Sequence, residues 1–198
     1  MDEILHSMEI ISELERELRR EDLERLREMG KRHAKIVSSL ISDLHASSQE
    51  VYVPKRGESV LYVFSVSRYQ DSAEEVVEEF TKTYRVLVIS ISRPCDEFEG
   101  VECLEHSIER RSENQFSSIP EVMILLDKYG DVELIVLDSL PALSVISNEG
   151  ELKKFIYYLM KKTKEAKRAL AIFTIEGTIP SDIEAFVATL CNRTVSLK

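Results

Sequence analysis

The residues best suited for chemistry lie in the loops that follow short apolar runs of the chain. Such runs end at Phe64, Ile91, Leu137 and Ile175. In a doubly wound domain ligands bind beyond the carboxyl ends of the strands, so these four loops are where a site would form. The sequence carries no G-x-S-x-G, HExxH or G-x-G-x-x-G motif, so hydrolase, metalloprotease and dinucleotide-binding chemistry lack a starting residue.

Two arginines in these loops are candidates for anion binding. Arg68 follows the first apolar run and Arg93 follows the second. With Ser67 and Tyr69 they form a candidate pocket of exposed residues, because loops at this edge of the sheet converge. The alternative is that these side chains fill a surface cleft without binding a ligand.

The cysteines and histidines form no pattern of this kind. The chain has three cysteines, Cys95, Cys103 and Cys191, without CxxC or zinc-finger spacing, and its four histidines are scattered. The sequence therefore predicts neither a metal site nor a disulfide framework.

Five apolar, β-rich runs predict the strands that must position these loops, at residues 60–64, 86–91, 134–137, 170–175 and 194–197. Helical patterns alternate with them, as in the stripe of Ala73, Val76, Val77 and Phe80. Strands that alternate with helices imply right-handed crossovers and a parallel sheet covered on both faces. The predicted fold class is therefore α/β, a doubly wound, mostly parallel sheet.

Capping residues predict where three further helices begin. The pairs with capping spacing are Ser118 with Glu121, Asn148 with Glu151, and Ser181 with Glu184. The first of these helices should end near Gly130. The segment 93–117 has no clear pattern, with room for a short strand or helix near residues 101–109.

The first 46 residues differ from the rest. From Ile4 to Leu44 there is no proline and apolar residues recur at helical spacing, which predicts a helical oligomerisation or docking segment at residues 1–46. These helices pack either on their own domain or on another chain. Residues 47–58 are predicted to be a linker with a possible edge strand at 51–53, and residues 59–198 the α/β domain.

The run Val-Glu-Leu-Ile-Val-Leu-Asp-Ser-Leu at 132–140 is an apolar strand ending in Asp138 and Ser139. It resembles the Walker B segment of RecA- and KaiC-like ATPases, and the resemblance extends over roughly residues 59–198. It implies a RecA-like fold of an archaeal type. In that family the aspartate holds a magnesium ion through water.

The phosphate-binding loop of that family would lie at residues 65–72. Ser65 and Gln70 replace the two glycines that let the backbone wrap a phosphate, and Asp71 replaces the lysine. Only Ser72 is retained. A carboxylate in place of an ammonium group repels phosphate, so tight ATP binding is not expected. With Arg68 and Asp138, these residues form a predicted vestigial nucleotide site.

Structural roles are expected for the two aspartates. Asp71 is a favoured N-cap residue with Glu74 three positions later. The family's catalytic glutamate would lie at the end of the second strand, where residues 90–94 contain no carboxylate. Asp138 would then be a capping or turn residue without a magnesium ion to hold.

The net charge of −10 opposes binding to nucleic acid and to anionic membranes. The acidic N-terminus and the lack of a long apolar run predict a cytoplasmic protein. Residues 151–168 form a locally basic helix, which is either a solvated face or a dock for an acidic partner.

These patterns favour a non-catalytic regulatory or scaffolding protein that needs no cofactor, forms homo-oligomers through its N-terminal helices and acts by protein–protein interaction. The main alternative is a nucleotide-binding protein or weak ATPase that uses residues 65–72, with Asp138 on the magnesium ion of ATP. A helical transcriptional regulator using residues 16–35 is a third possibility, which the mixed charge of that segment disfavours.

Overall fold

The computed structural model of this protein describes residues 51–109 and 112–197. The elements in chain order are β1 (Ser59–Phe64), α1 (Tyr69–Thr81), β2 (Val86–Ser90), β3 (Glu102–His106), β4 (Gln115–Phe116), α2 (Ile119–Leu125), β5 (Leu134–Asp138), α3 (Leu140–Ile146), α4 (Glu149–Glu165), β6 (Ala169–Ile175), α5 (Ser181–Leu190) and β7 (Arg193–Leu197). Single 3₁₀ turns occur at Cys95–Glu97 and Leu126–Lys128. The predicted helical segment 1–46 lies outside the described residues.

The seven strands form one parallel sheet in the order β4-β3-β2-β5-β6-β1-β7. Every residue of β2 and β5 is buried, and so are the first six of β6. Strands covered on both faces need apolar residues at consecutive positions, which is why the runs lack an alternating pattern. The predicted α/β, doubly wound fold is confirmed.

Helices cover both faces of the sheet, each over its own apolar cluster. On one face α1 packs through Val76, Val77 and Phe80, together with Phe98 from the segment after β2. On the other face α2, α3, α4 and α5 pack over a second cluster. The cluster under α1 extends to the loops at the carboxyl ends of β1, β2 and β5, where the candidate site lies.

The predicted edge strand at residues 51–53 is not present. Val51, Tyr52 and Val53 are half-buried without strand pairing and pack on the apolar cluster under α1. The edges of the sheet are β4 and β7, and residues 51–53 pair with neither of them.

A disulfide joins Cys95 to Cys103, so the prediction that the cysteines form no disulfide was wrong. The 3₁₀ turn after β2 lies beside β3, and this brings the two Cα atoms to 5.8 Å. That distance falls in the usual range for a disulfide. The bond ties the segment that carries Phe98 to the sheet.

The capping predictions had mixed outcomes. The Asn148–Glu151 capping box of α4 is confirmed: the Glu151 N–H donates to Asn148 Oδ1 at 3.0 Å, and the Asn148 N–H donates to Glu151 Oε2 at 3.4 Å. Ser118 holds the N-cap position of α2 but makes no side-chain cap, since the Glu121 N–H donates to its backbone carbonyl at 3.1 Å. The prediction for Ser181 was wrong, because Pro180 holds the N-cap position of α5 and accepts the Glu184 N–H through its carbonyl at 3.1 Å. The helix α2 also ends at Leu125, earlier than predicted, and only a 3₁₀ turn follows.

Within the described residues, no helix is both long and apolar enough to cross a membrane.

Candidate functional site

The candidate site lies at the carboxyl ends of β1, β2 and β5, on the face that α1 covers. Asp138 is the last residue of β5 and pairs in register with Ser90, the last residue of β2. Side chains alternate between the two faces along a strand, so Asp138 points to the same face as Val136, under α1. The strand order thus brings the loops after β2 and β1 to this carboxylate.

Asp138 is fully buried and is held by two side chains. Arg93 Nε donates to Asp138 Oδ2 at 2.9 Å, and the Tyr69 hydroxyl donates to Asp138 Oδ1. Burial raises the pKa of the Asp138 carboxyl to about 7, because a charged group is less stable away from water. The expected capping or turn role was wrong: the N-cap position of α3 belongs to Ser139, and Asp138 forms a buried ion pair.

Arg93 follows β2 and is only 9% exposed, so the expectation that it lies on the surface was wrong. Its guanidinium stacks over Phe98, with Cζ 4.4 Å from the ring centroid, and Nη1 lies 3.3 Å from Glu74. Glu97 is 3.8 Å away. Burial lowers the pKa of Arg93, and the charges of Glu74 and Glu97 oppose that shift. A buried guanidinium needs such partners, and Asp138 provides the closest.

Tyr69 reaches the site from the first turn of α1. Its ring packs edge-on against Phe64 at 5.3 Å between centroids, which fixes the hydroxyl over Asp138. The sequence pattern indicated Tyr69 only as a residue of a surface pocket. Its spacing from Phe64 could not reveal the contact with Asp138, which lies 69 residues away along the chain.

Half of the segment 65–72 is helix rather than loop. Helix α1 begins at Tyr69, and the Ser72 N–H donates to the Arg68 carbonyl at 3.0 Å, as in a first helical turn. Asp71 is therefore the third residue of α1, and its predicted role as N-cap was wrong because Arg68 holds that position. An acidic residue in the first turn still favours the helix electrostatically.

The six predicted site residues are therefore only partly brought together. Asp138 lies in the buried cluster. Gln70 contacts the cluster through its backbone carbonyl oxygen, which lies 3.5 Å from Arg93 Nη1. Ser65 accepts from the Arg68 N–H at 3.3 Å in the turn before α1. Arg93, Glu74 and Phe98 complete the cluster, and the set of six did not include them.

A groove of about 430 Å³ lies beside this cluster, between α1 and the segment after β2. Val77 and Phe98 form part of its lining. The rest is seven carboxylates, Asp71, Glu74, Glu75, Glu78, Asp96, Glu97 and Glu99. A surface with this charge repels phosphate. Within residues 51–109 and 112–197, no group of three or more His, Cys, Asp or Glu side chains is arranged to hold a metal ion.

Several solved structures have a similar fold. The flagellar accessory protein FlaH from Methanocaldococcus jannaschii is 12% identical with a TM-score of 0.52, over 78% of this chain and 76% of that one. The protein PH0250 from Pyrococcus horikoshii OT3 is 15% identical with a TM-score of 0.56, over 75% and 85%. The KaiC-like protein PH0186 from the same organism is 9% identical with a TM-score of 0.51, over 72% and 73%. At these identities the likeness shows a RecA/KaiC-like fold and nothing more.

No family model matches the sequence, and no curated protein matches it.

Proposed function

We propose that this protein is a non-catalytic RecA/KaiC-like regulatory or scaffolding protein that acts through protein–protein interaction. The observation that carries the proposal is the burial and pairing of Asp138. The carboxylate that the Walker B resemblance would assign to magnesium is fully buried and already accepts from Arg93 and Tyr69.

The position of Arg93 gives the physical reason. A guanidinium 2.9 Å from Asp138 neutralises the carboxylate and repels a divalent cation that approaches the same oxygens. By the resemblance, the segment after β2 would carry the glutamate that polarises water in active relatives. An arginine there pairs with the Walker B aspartate and supplies no base.

The surroundings oppose nucleotide binding in the same way. The segment 65–72 has neither the two glycines nor the lysine of a phosphate-binding loop. The groove next to it has seven carboxylates. A triphosphate would meet repulsion there, and Arg93, the arginine of the cluster, is already paired with carboxylates.

Nucleotide titration of the full chain tests this proposal. ATP or ADP at millimolar concentration, with or without magnesium, should give no saturable heat and no change in melting temperature. A ligand present at 100 times its Kd would stabilise the folded state by about 2.7 kcal/mol. That would raise the melting temperature of a chain of this size by about 5–10 °C, which is easily measured.

The result that contradicts the proposal is saturable, magnesium-dependent binding that Asp138→Asn abolishes. Asp131→Asn is the matched control, because Asp131 is an exposed aspartate that lies just before β5 and outside the buried cluster. Loss in both variants would indicate a general charge effect, and loss in Asp138→Asn alone would make this chain a nucleotide-binding protein.

Self-association is part of the same proposal, with residues 1–46 as the predicted oligomerisation segment. Replacing Ile11 and Leu18 with aspartate would break the apolar pattern of that segment. Sedimentation of the full-length variant should then show smaller particles than the wild-type chain. An unchanged size would contradict the role of this segment.

A further inference from the structure

Two exposed surfaces of opposite charge lie on opposite faces of the sheet. The first is the acidic groove between α1 and the segment after β2, described above. The second, the α4 strip, is the exposed face of α4 beyond its first turn and consists of Lys154, Tyr157, Tyr158, Lys161, Lys164 and Glu165. The first turn itself carries the exposed acidic residues Glu149 and Glu151. The helix α1 packs on one apolar cluster and α4 on the other, so the sheet separates the two surfaces.

The α4 strip is a continuous surface made mainly of lysine and tyrosine side chains. Its members recur at helical spacing opposite the buried stripe of α4, so they share one face. Tyr157 and Tyr158 are 52% and 55% exposed, and their rings contact each other at 5.7 Å between centroids. Lys161 has only a long contact with Glu165 at 3.9 Å. No ion pair is found for Lys154 or Lys164 within the described part of the chain.

Most carboxylates of the acidic groove also lack a cation. Glu74 and Glu97 pair with Arg93, at 3.3 and 3.8 Å. Asp71, Glu75, Asp96 and Glu99 have no ion pair among residues 51–109 and 112–197. The groove therefore carries an uncompensated negative charge, on a protein whose net charge is −10.

We propose that the α4 strip of one copy docks in the acidic groove of a second copy. Lysines and tyrosines are suited to such a groove, because carboxylates can accept from both ammonium and hydroxyl donors. The two surfaces are different and lie on opposite faces, so the contact is heterologous: one copy of a pair keeps its groove free and the other keeps its α4 strip free. Association then extends from copy to copy, and salt weakens it because both surfaces are exposed.

This contact goes beyond the proposed function, since it requires neither an inactive nucleotide site nor the N-terminal segment. It is tested by reversing charges on full-length protein and measuring self-association by sedimentation at low salt. The strip variant is Lys154→Glu, Lys161→Glu and Lys164→Glu. The groove variant is Glu75→Lys, Glu78→Lys and Glu99→Lys, which leaves all three carboxylates that pair with Arg93 in place.

Each variant alone should self-associate at least about tenfold more weakly than the wild-type chain, since like charges then face each other. A chain that carries all six changes restores the complementarity with reversed sign and should recover the association. This recovery also shows that the substituted chains fold. A control with Lys55→Glu, Lys128→Glu and Arg193→Glu makes the same charge change at exposed residues outside the α4 strip and should associate like the wild-type chain.

Three results would overturn the inference. The first is no salt-sensitive association of the wild-type chain. The second is equal association of the wild type, the strip variant and the groove variant, which would assign self-association to another segment and leave the proposed function intact. The third is weaker self-association of both three-residue variants, with no recovery of self-association in the six-residue variant.

Discussion

The strands β2 and β5 carry an arginine–carboxylate group at each end, and the two groups lie in opposite environments. At the carboxyl ends, Arg93 and Asp138 are 9% and 0% exposed and 2.9 Å apart. At the amino ends, Arg85 pairs with Glu102 at 2.7 Å and also with Asp131, and its side chain is 59% exposed. The two groups are chemically alike, although Glu102 belongs to the neighbouring strand β3, and they differ mainly in their access to water.

This difference in exposure indicates which of the two groups contributes more to the stability of the fold. An ion pair that is exposed to water adds little to the free energy of unfolding, because each ion is already well solvated and salt screens the attraction. Away from water, an ion that loses its partner has no solvent to replace it, so each partner depends on the other. The buried pair therefore has consequences for stability and for ligand binding that the exposed group does not have.

The largest expected effect comes from removing one partner of the buried pair. Arg93→Met should lower the free energy of unfolding by about 3–5 kcal/mol at a pH above the pKa of Asp138, because the carboxylate is left buried without a cation. Urea denaturation measures this. Arg85→Met at the exposed end is the matched control and should cost much less. Equal losses in the two variants would contradict the comparison.

A double substitution should recover much of that loss. Arg93→Met with Asp138→Asn removes both charges, and the asparagine keeps an acceptor for the Tyr69 hydroxyl. The double variant should be about 2–4 kcal/mol more stable than Arg93→Met alone, since no charge remains unpaired between these two positions. If the two substitutions instead destabilise additively, then packing around Phe98 rather than charge pairing accounts for the loss.

The buried pair also marks where sequence reasoning succeeded and where it failed. The main strands were predictable, because burial on both faces requires consecutive apolar residues in a run such as 134–137. The strand β4 has two residues, and α3 has seven, with Ala142 where a capping box would have Glu or Gln, so neither gives a clear sequence signal. Both were missed for that reason.

The candidate site was predictable only as a region. The strand that ends in Asp138 and the altered loop 65–72 indicated the correct edge of the sheet. The burial of Arg93 was not predictable, because it depends on an approach of residues 45 positions apart. The disulfide was missed for a similar reason, since a spacing of 8 residues between Cys95 and Cys103 becomes informative only when β3 lies beside the 3₁₀ turn.

The effect that is smallest per pH unit is a pH dependence of stability, which of the two groups only the buried one should confer. Burial raises the pKa of Asp138 from 3.8 to about 7, so the folded chain binds this proton more tightly than the unfolded chain does. Its contribution to the free energy of unfolding should therefore fall as the pH rises from about 4 to about 7, by at most about 1.4 kcal/mol per pH unit.

The difference in stability between the wild type and Asp138→Asn, measured by urea denaturation across this range, isolates that contribution. Asp131→Asn, which removes a carboxylate from the exposed group, is the control and should leave the slope of the wild type in place. A slope that survives in Asp138→Asn would mean that another group titrates there. The buried end of the strands would then differ from the exposed end in its packing and not in its proton binding.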